Sequence, residues 1–172
     1  EWVRALSQRY PRTIDCYESV INFDNNVWNR VGRDNNFLNL TIGQGESYFG
    51  NLKILTKNVH DNRLFDSHKI LKKVPITIPL KKISKLAVVS DMHKIYDVFK
   101  NFIVQFTSNN SYKDLKIVTI ASKDHEENIN YLKLIPHVYS DKNDFRYFAI
   151  TDDEVIDVLH NLRKIIKERE SI

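Results

Sequence analysis

The chain holds a single cysteine, Cys16, so it cannot close a disulfide within itself. With no cysteine pair and no histidine-rich cluster it also lacks a zinc framework, and a reducing compartment is the expectation. Glycine is almost as scarce. All four, Gly32, Gly43, Gly45 and Gly50, lie in the first third of the 172 residues. The later two thirds therefore offer no backbone free to take any φ, which removes a glycine-rich phosphate cradle from that part of the chain. Long apolar runs are missing too: no window approaches the roughly 18 uninterrupted apolar residues of a membrane helix, and the first residues carry no signal-peptide core. These absences describe a soluble, intracellular piece. A large excess of one charge is absent as well, since 26 Lys and Arg stand against 22 Asp and Glu, a net +4. The basic residues are spread, densest at Lys69 to Lys73, Lys81 to Lys85 and Arg163 to Arg169, whereas a nucleic-acid binder gathers them into a stripe. Solvated faces are the expected reading of these patches, with a mild attraction to anionic lipid as the alternative. Two glycosylation sequons, at Asn39 and Asn109, carry no meaning in a reducing compartment.

What is present is enough for one globular domain: 42% hydrophobic and 28% charged residues over a length that encloses a real core. Thr13 to Phe23 carries Ile14, Tyr17, Val20 and Ile21 at helical spacing, which predicts a short helix. Phe37 to Ile42 alternates apolar and polar, Gly43-Gln44-Gly45 reads as a turn, and Ser47 to Leu55 as the return strand of a hairpin. A short helix is predicted over Asp66 to Lys72, then a strand over Pro75 to Leu80 whose two prolines point to an edge position or to strand ends. From Leu86 onward strand and helix alternate. Leu86 to Val89 reads as a strand buried on both faces, and Met92, Ile95, Phe99, Phe102, Ile103 and Phe106 form one face of a helix. Leu115 to Ala121 is the next buried strand, His125 to Leu134 a helix broken at Pro136, and Arg146 to Ile150 a strand. Thr151-Asp152-Asp153-Glu154 is a capping box ahead of a last helix that ends in Lys164, Lys167 and Arg169. This pattern predicts an α/β fold: a three-layer, Rossmann-like, mostly parallel sheet flanked by helices, with an N-terminal helix and a β-hairpin. Residues 1–35 form the N-terminal helical segment, 36–73 the hairpin and connector, and 74–172 the α/β core.

Leu86 to Phe106, a strand running through a turn into an amphipathic helix, has the geometry of a phosphate-binding loop but the wrong residues. Ser90-Asp91-Met92-His93-Lys94-Ile95-Tyr96-Asp97 contains no glycine, and Asp91 and Asp97 add negative charge where a triphosphate would sit. Asp91, His93, Asp124 and His125 follow the ends of predicted parallel strands, so metal-assisted hydrolysis is one reading of them. Helix capping by Ser90 or Asp91 and by Asp124 is the other. His137 is expected to be structural, His60, His68 and His160 have no partner at ligand spacing, and Cys16 reads as a buried thiol. Trp2 and Trp28 are the residues expected to dock something; Trp28 either pins the N-terminal helix onto the sheet or belongs to a partner surface.

Val27-Trp28-Asn29-Arg30 followed by Phe37-Leu38-Asn39-Leu40-Thr41-Ile42-Gly43-Gln44-Gly45 resembles the W-x-R … D-F-L-x-x-R-x-G-x-G signature that follows the membrane segments of the type VII secretion motor proteins EssC and EccC. Val74 to Leu80 is similar to that family's P-V-x-x-x-L strand, Leu134-Ile135-Pro136-His137-Val138 to its L-P-H segment, and Leu159 to Arg169 to the helix after it. The likeness spans nearly the whole chain in the same order. It implies an FtsK/SpoIIIE-type (RecA-like) core whose Walker A loop would fall on Ser90 to Asp97, with Tyr96 where the catalytic lysine belongs and Asp97 where the Ser or Thr belongs. In active modules a Walker B strand follows the last helix, and this chain stops there. The resemblance thus implies the membrane-proximal module: no cofactor, no catalytic residue and no nucleic acid, with Trp28, Arg30, Phe37, Gly43, Gly45, Pro136 and His137 as structural or interaction residues. Its place would be the cytoplasmic side of a bacterial membrane. Its partners would be neighbouring ATPase modules of the same chain, other secretion subunits including a ubiquitin-like one, and further copies of itself. A metal-dependent hydrolase using Asp91, His93, Asp124 and His125, and a DNA-binding module, are the competing readings.

Overall fold

The computed structural model describes residues 2–48, 70–83 and 85–170. Two helices open the chain, α1 (Trp2–Arg9) and α2 (Thr13–Asn22). The start of α2 is fixed by Asp15, whose carboxylate accepts from the main-chain N, Nε and Nη2 of Arg12 at 2.8, 3.0 and 2.6 Å. That places a negative charge in the first turn, where the helix dipole favours it. At the other end Phe23 turns left-handed at φ 50°, and Asp24 N donates to Ser19 O at 3.2 Å. The helix lies where the periodicity predicts, but the apolar stripe is not the face that it buries. Cys16 is buried, as expected of it, whereas Ile14, Tyr17, Val20 and Ile21 are all exposed and Phe23 is 90% exposed.

The predicted hairpin is not formed in the predicted way. β1 (Asn39–Tyr48) runs straight through Gly43-Gln44-Gly45 and pairs antiparallel with β2 (Ile70–Pro79), from Asn39 opposite Pro79 to Tyr48 opposite Ile70. Irregularities after Thr41 and Gly45 absorb the twist where a turn was expected. Gly45 serves close approach: a Cβ there would stand 3.1 Å from the Ile76 side chain. The expected return strand beyond Tyr48 lies outside the described residues, as do residues 66–69 of the expected short helix; its remaining residues, 70–72, are strand. Pro75 and Pro79 sit in a two-stranded ribbon in which each strand is an edge, the position anticipated for them.

The fold class is the main correction. Among the described residues the strands form two separate two-stranded sheets, the antiparallel ribbon and a parallel pair of β3 (Thr119–Ile120) with β4 (Phe148–Ala149), and not a multi-stranded Rossmann-like parallel sheet. Leu86 to Val89, read as its buried strand, joins neither sheet; Leu86, Val88 and Val89 are exposed, Val89 to 94%. An apolar run marks a parallel strand only where both faces are covered. Here Val118 and Ile120 leave the outer side of β3 exposed as well. The pairing is short: Thr119 N donates to Tyr147 O and Ala121 N to Ala149 O, at 2.9 and 3.0 Å.

The long helix α3 (Met92–Asn109) supplies the scaffold. Ile103 enters a core with Ile129, Leu132 and Phe148, and Phe99, Tyr96 and Ile117 close around it. The predicted helix over His125 to Leu134 is a chain of short pieces: a 3-10 turn (Lys123–His125), α4 (Glu126–Ile129) and a second 3-10 turn (Asn130–Leu134). The last helix, α5 (Asp152–Glu170), begins at the capping box read from the sequence. Glu154 Oε2 accepts from Ile150 N and Thr151 N at 2.9 and 3.1 Å, and Glu154 N donates to Thr151 Oγ1 at 3.4 Å.

Candidate functional site

The crossover into α3 is closed by side chains. Asp91 stands at the N-cap position, but its carboxylate pairs with Lys94 Nζ at 3.0 Å and makes no capping bond. Tyr96, at the place of the Walker lysine, puts its hydroxyl 2.7 Å from Nδ1 of His125, with the rings edge to face at 6.1 Å. Ser90 and Asp97 are exposed beside it. His125 is thus engaged with a phenol. Asp124 lies inside the 3-10 turn, where Ser122 takes the N-cap position and no side chain caps, so the capping reading fails for Asp124 too. Among the described residues no three His, Cys, Asp or Glu side chains converge to hold a metal ion, so Asp91, His93, Asp124 and His125 do not form the constellation the hydrolase reading needs.

The opposite end of α3 gathers the residues the sequence singled out. A helix leaves its last carbonyls without intrahelical donors. Here Trp28 Nε1 donates to Thr107 O at 2.8 Å and Trp28 N to Ser108 O at 2.7 Å. Arg30 N donates to Asn109 O at 3.0 Å, and the His137 ring reaches Asn110 O from Nε2 at 2.8 Å. Four successive carbonyls are met by two segments more than a hundred residues apart in sequence. Trp28 reaches them from a left-handed backbone, φ 56°, and its ring meets Tyr112 and His137 edge to face at 5.4 and 6.5 Å. Trp28 therefore pins the N-terminal segment to the end of α3, and not to a sheet.

His137 follows Pro136 in a 3-10 turn and is 1% exposed. A carbonyl can only accept, so Nε2 carries the proton and Nδ1 is a bare buried acceptor. Burial holds the imidazole below its ordinary pKa; the bond to Asn110 opposes this, and nearby Lys116 adds to it.

Arg30 is the buried cation of the junction, 4% exposed. Its Nη1 donates to Asn36 O and Asn39 O at 3.4 and 3.3 Å, and its Nη2 to Arg9 O at 3.0 Å. Burial lowers its pKa, against the pull of Cys16, Tyr10 and Asp34 and with the push of Arg9. These carbonyls tie α1 to the start of β1, where Phe37 is buried. Gly43 and Gly45 lie further along β1, away from the junction.

Gln105, which the sequence reading passed over, completes the frame. Its Oε1 accepts from Thr41 N and its Nε2 donates to Thr41 O, both at 2.8 Å, and Nε2 reaches Thr13 Oγ1 at 3.0 Å. A single amide does for Thr41 what a neighbouring strand would do. The available signal was a polar residue between Ile103 and Phe106 on the apolar face of the helix.

Two cavities border this frame. One of about 740 Å³ lies between α1, α2 and the Trp28–Arg30 segment, and a groove of about 630 Å³ is lined by Ile14, Tyr17, Ile42 and Val104. Among the described residues no helix is long and apolar enough to cross a membrane. No family model matches the chain, and a search of curated proteins likewise returns no match.

Proposed function

We propose that this chain is a non-catalytic coupling module of a membrane-anchored type VII secretion motor protein, acting by docking and not by hydrolysing nucleotide. The reading rests on the resemblance of the Trp28–Arg30, Phe37–Gly45 and Leu134–Val138 segments to the EssC and EccC proteins, and it does not depend on an ATPase-like sheet. The observation that carries it is the pairing of Tyr96 with His125 at 2.7 Å, a phenol and an imidazole on the segment that the resemblance aligns with a motor's phosphate loop. The residues of the signature are spent on architecture: Trp28, Arg30 and His137 meet backbone carbonyls. Open to solvent beside them is an apolar stripe, Ile14, Tyr17, Val20 and Ile21 on α2 with Phe23 just after it. Contiguous exposed apolar surface of that kind is where a protein partner docks. In this reading the partners are neighbouring ATPase modules of the same chain, other secretion subunits including a ubiquitin-like protein, and further copies of the module, at the cytoplasmic face of the membrane.

The test places Ile14→Asp and Ile21→Asp together in the full-length protein and measures export of its substrates. Both positions are exposed, so the unfolding midpoint of the module is expected to stay within experimental error of the parent. Export falling to the level of a strain without the module is the expected result; unchanged export with an intact module overturns the docking role.

A further inference from the structure

The cavity of about 740 Å³ is polar and carries an excess of positive charge. Arg4, Arg9, Arg12 and Arg30 line it against one carboxylate, Asp15. Asp15 is already occupied, since both its oxygens are held by Arg12 at 2.6 to 3.0 Å. Among the described residues, Arg4, Arg9 and Arg30 have no carboxylate partner. Arg30 lies at the wall of the cavity, buried and held by three main-chain carbonyls. Carbonyl dipoles satisfy N–H groups but do not supply a counter-charge, and a buried cation is ordinarily paired. Two of its five N–H groups remain without a protein acceptor among the described residues. Guanidinium-bearing residues lining one concave site, where the surrounding protein weakens screening, focus a positive potential on whatever enters; Arg9 also lies over the Tyr10 ring at 5.7 Å.

We propose that this cavity binds a small phosphate-bearing anion, with Arg30 as the buried anchor and Arg4 and Arg9 as the outer clamps. Planar guanidinium forks match phosphate oxygens in pairs, and the volume lies in the range that holds a phosphate together with an organic body. The site is independent of the coupling reading, because it lies between α1 and α2 and uses none of Ser90 to Asp97. A soluble ester and a lipid headgroup both carry this phosphate chemistry, and the two sources separate in one experiment.

Calorimetry of the full chain with inorganic phosphate and with glycerol 3-phosphate is run beside flotation on phosphatidylcholine vesicles with and without phosphatidic acid. Saturable one-to-one binding is expected to weaken about tenfold in Arg9→Ala and to a similar degree in Arg4→Ala. Both side chains are exposed and the main-chain carbonyl of Arg9 survives the change, so both variants are expected to fold. Lys82→Ala/Lys85→Ala, which removes two exposed charges elsewhere, is expected to leave the affinity unchanged. Binding to the soluble phosphates assigns a soluble ligand, and binding only to phosphatidic acid vesicles assigns a headgroup; both uphold the site. No saturable binding to any of these probes, or binding that Arg4→Ala and Arg9→Ala leave intact, or that the lysine control weakens equally, overturns it.

Discussion

The indole nitrogen of Trp28 stands 2.8 Å from the carbonyl oxygen of Thr107, across 79 residues of sequence. That bond and the three beside it turn the buried C-terminal end of α3 into the point that holds the Trp28–Arg30 segment. Trp28→Phe keeps a ring against Tyr112 and His137 and loses one hydrogen bond, so a cost of about 1 kcal/mol is expected. Trp28→Ala also loses the ring contacts; because the side chain is half exposed, about 2 to 3 kcal/mol is expected, below the full cost of a core aromatic. Urea unfolding followed by circular dichroism gives both values, and equal losses for the two variants would show that the ring contacts add nothing to the N–H bond.

His137 makes stability depend on pH near neutrality. Its pKa in the folded chain is lowered by burial, while in the unfolded chain it returns to about 6.5. The unfolded state therefore binds more protons in the interval between the two values, and stability rises with pH across it. The stabilisation is complete above about pH 6.5 and is lost as pH falls toward the folded value. The denaturant midpoint is expected to climb as pH rises toward about 6.5 and to level off above it, and His137→Gln to flatten that climb.

Glu154 acts in a lower window and with the opposite kind of charge. Hydrogen bonds from Ile150 and Thr151 N–H groups hold its carboxyl below the usual range. The cap is fully effective above about pH 4.3 and fails as pH falls through the lowered value. Glu154→Ala is expected to cost up to about 1 kcal/mol at neutral pH, the figure being modest because the group is close to solvent. Thermal unfolding of both proteins at neutral pH and at about pH 3 is expected to show that difference shrinking in acid.

Gln105 carries more than its neighbours. Gln105→Leu is close in volume but leaves the N–H and C=O of buried Thr41 without their partners, and a loss of about 2 to 4 kcal/mol is expected. Amide exchange at Thr41, read by NMR, is expected to accelerate in this variant more than at Leu40. Equal exchange at the two sites would show that the amide does not hold the strand.

Which parts could be read beforehand follows from where their causes lie. The limits of α2 and α5 depend on residues within a few positions, Asp15 and Glu154 among them, and were legible within about two residues. The glycines of β1 were misread because a glycine signals a turn and a close contact alike, and only the approach of Ile76 tells them apart. The sheet was misread because Leu86 to Val89 looks like a buried strand whatever covers it, and the covering is a tertiary fact. Of the junction, Trp28, Arg30 and His137 were marked individually, yet nothing local joins them. Their common point is the end of α3 at Thr107 to Asn110. The arginine cavity left no trace in the sequence as a unit, since Arg4, Arg9, Arg12 and Arg30 line one cavity only in the folded chain.

Calorimetric titration of magnesium-ATP into the Arg4→Ala/Arg9→Ala protein tests the closed crossover most directly, because that variant removes the outer clamps of the separate anion cavity. With Tyr96 paired to His125 on the segment aligned with the Walker loop, no saturable heat and no phosphate release are expected. Stoichiometric binding in that variant, abolished by a further Tyr96→Ala or Asp97→Lys change, would place a nucleotide at the crossover and contradict the coupling role.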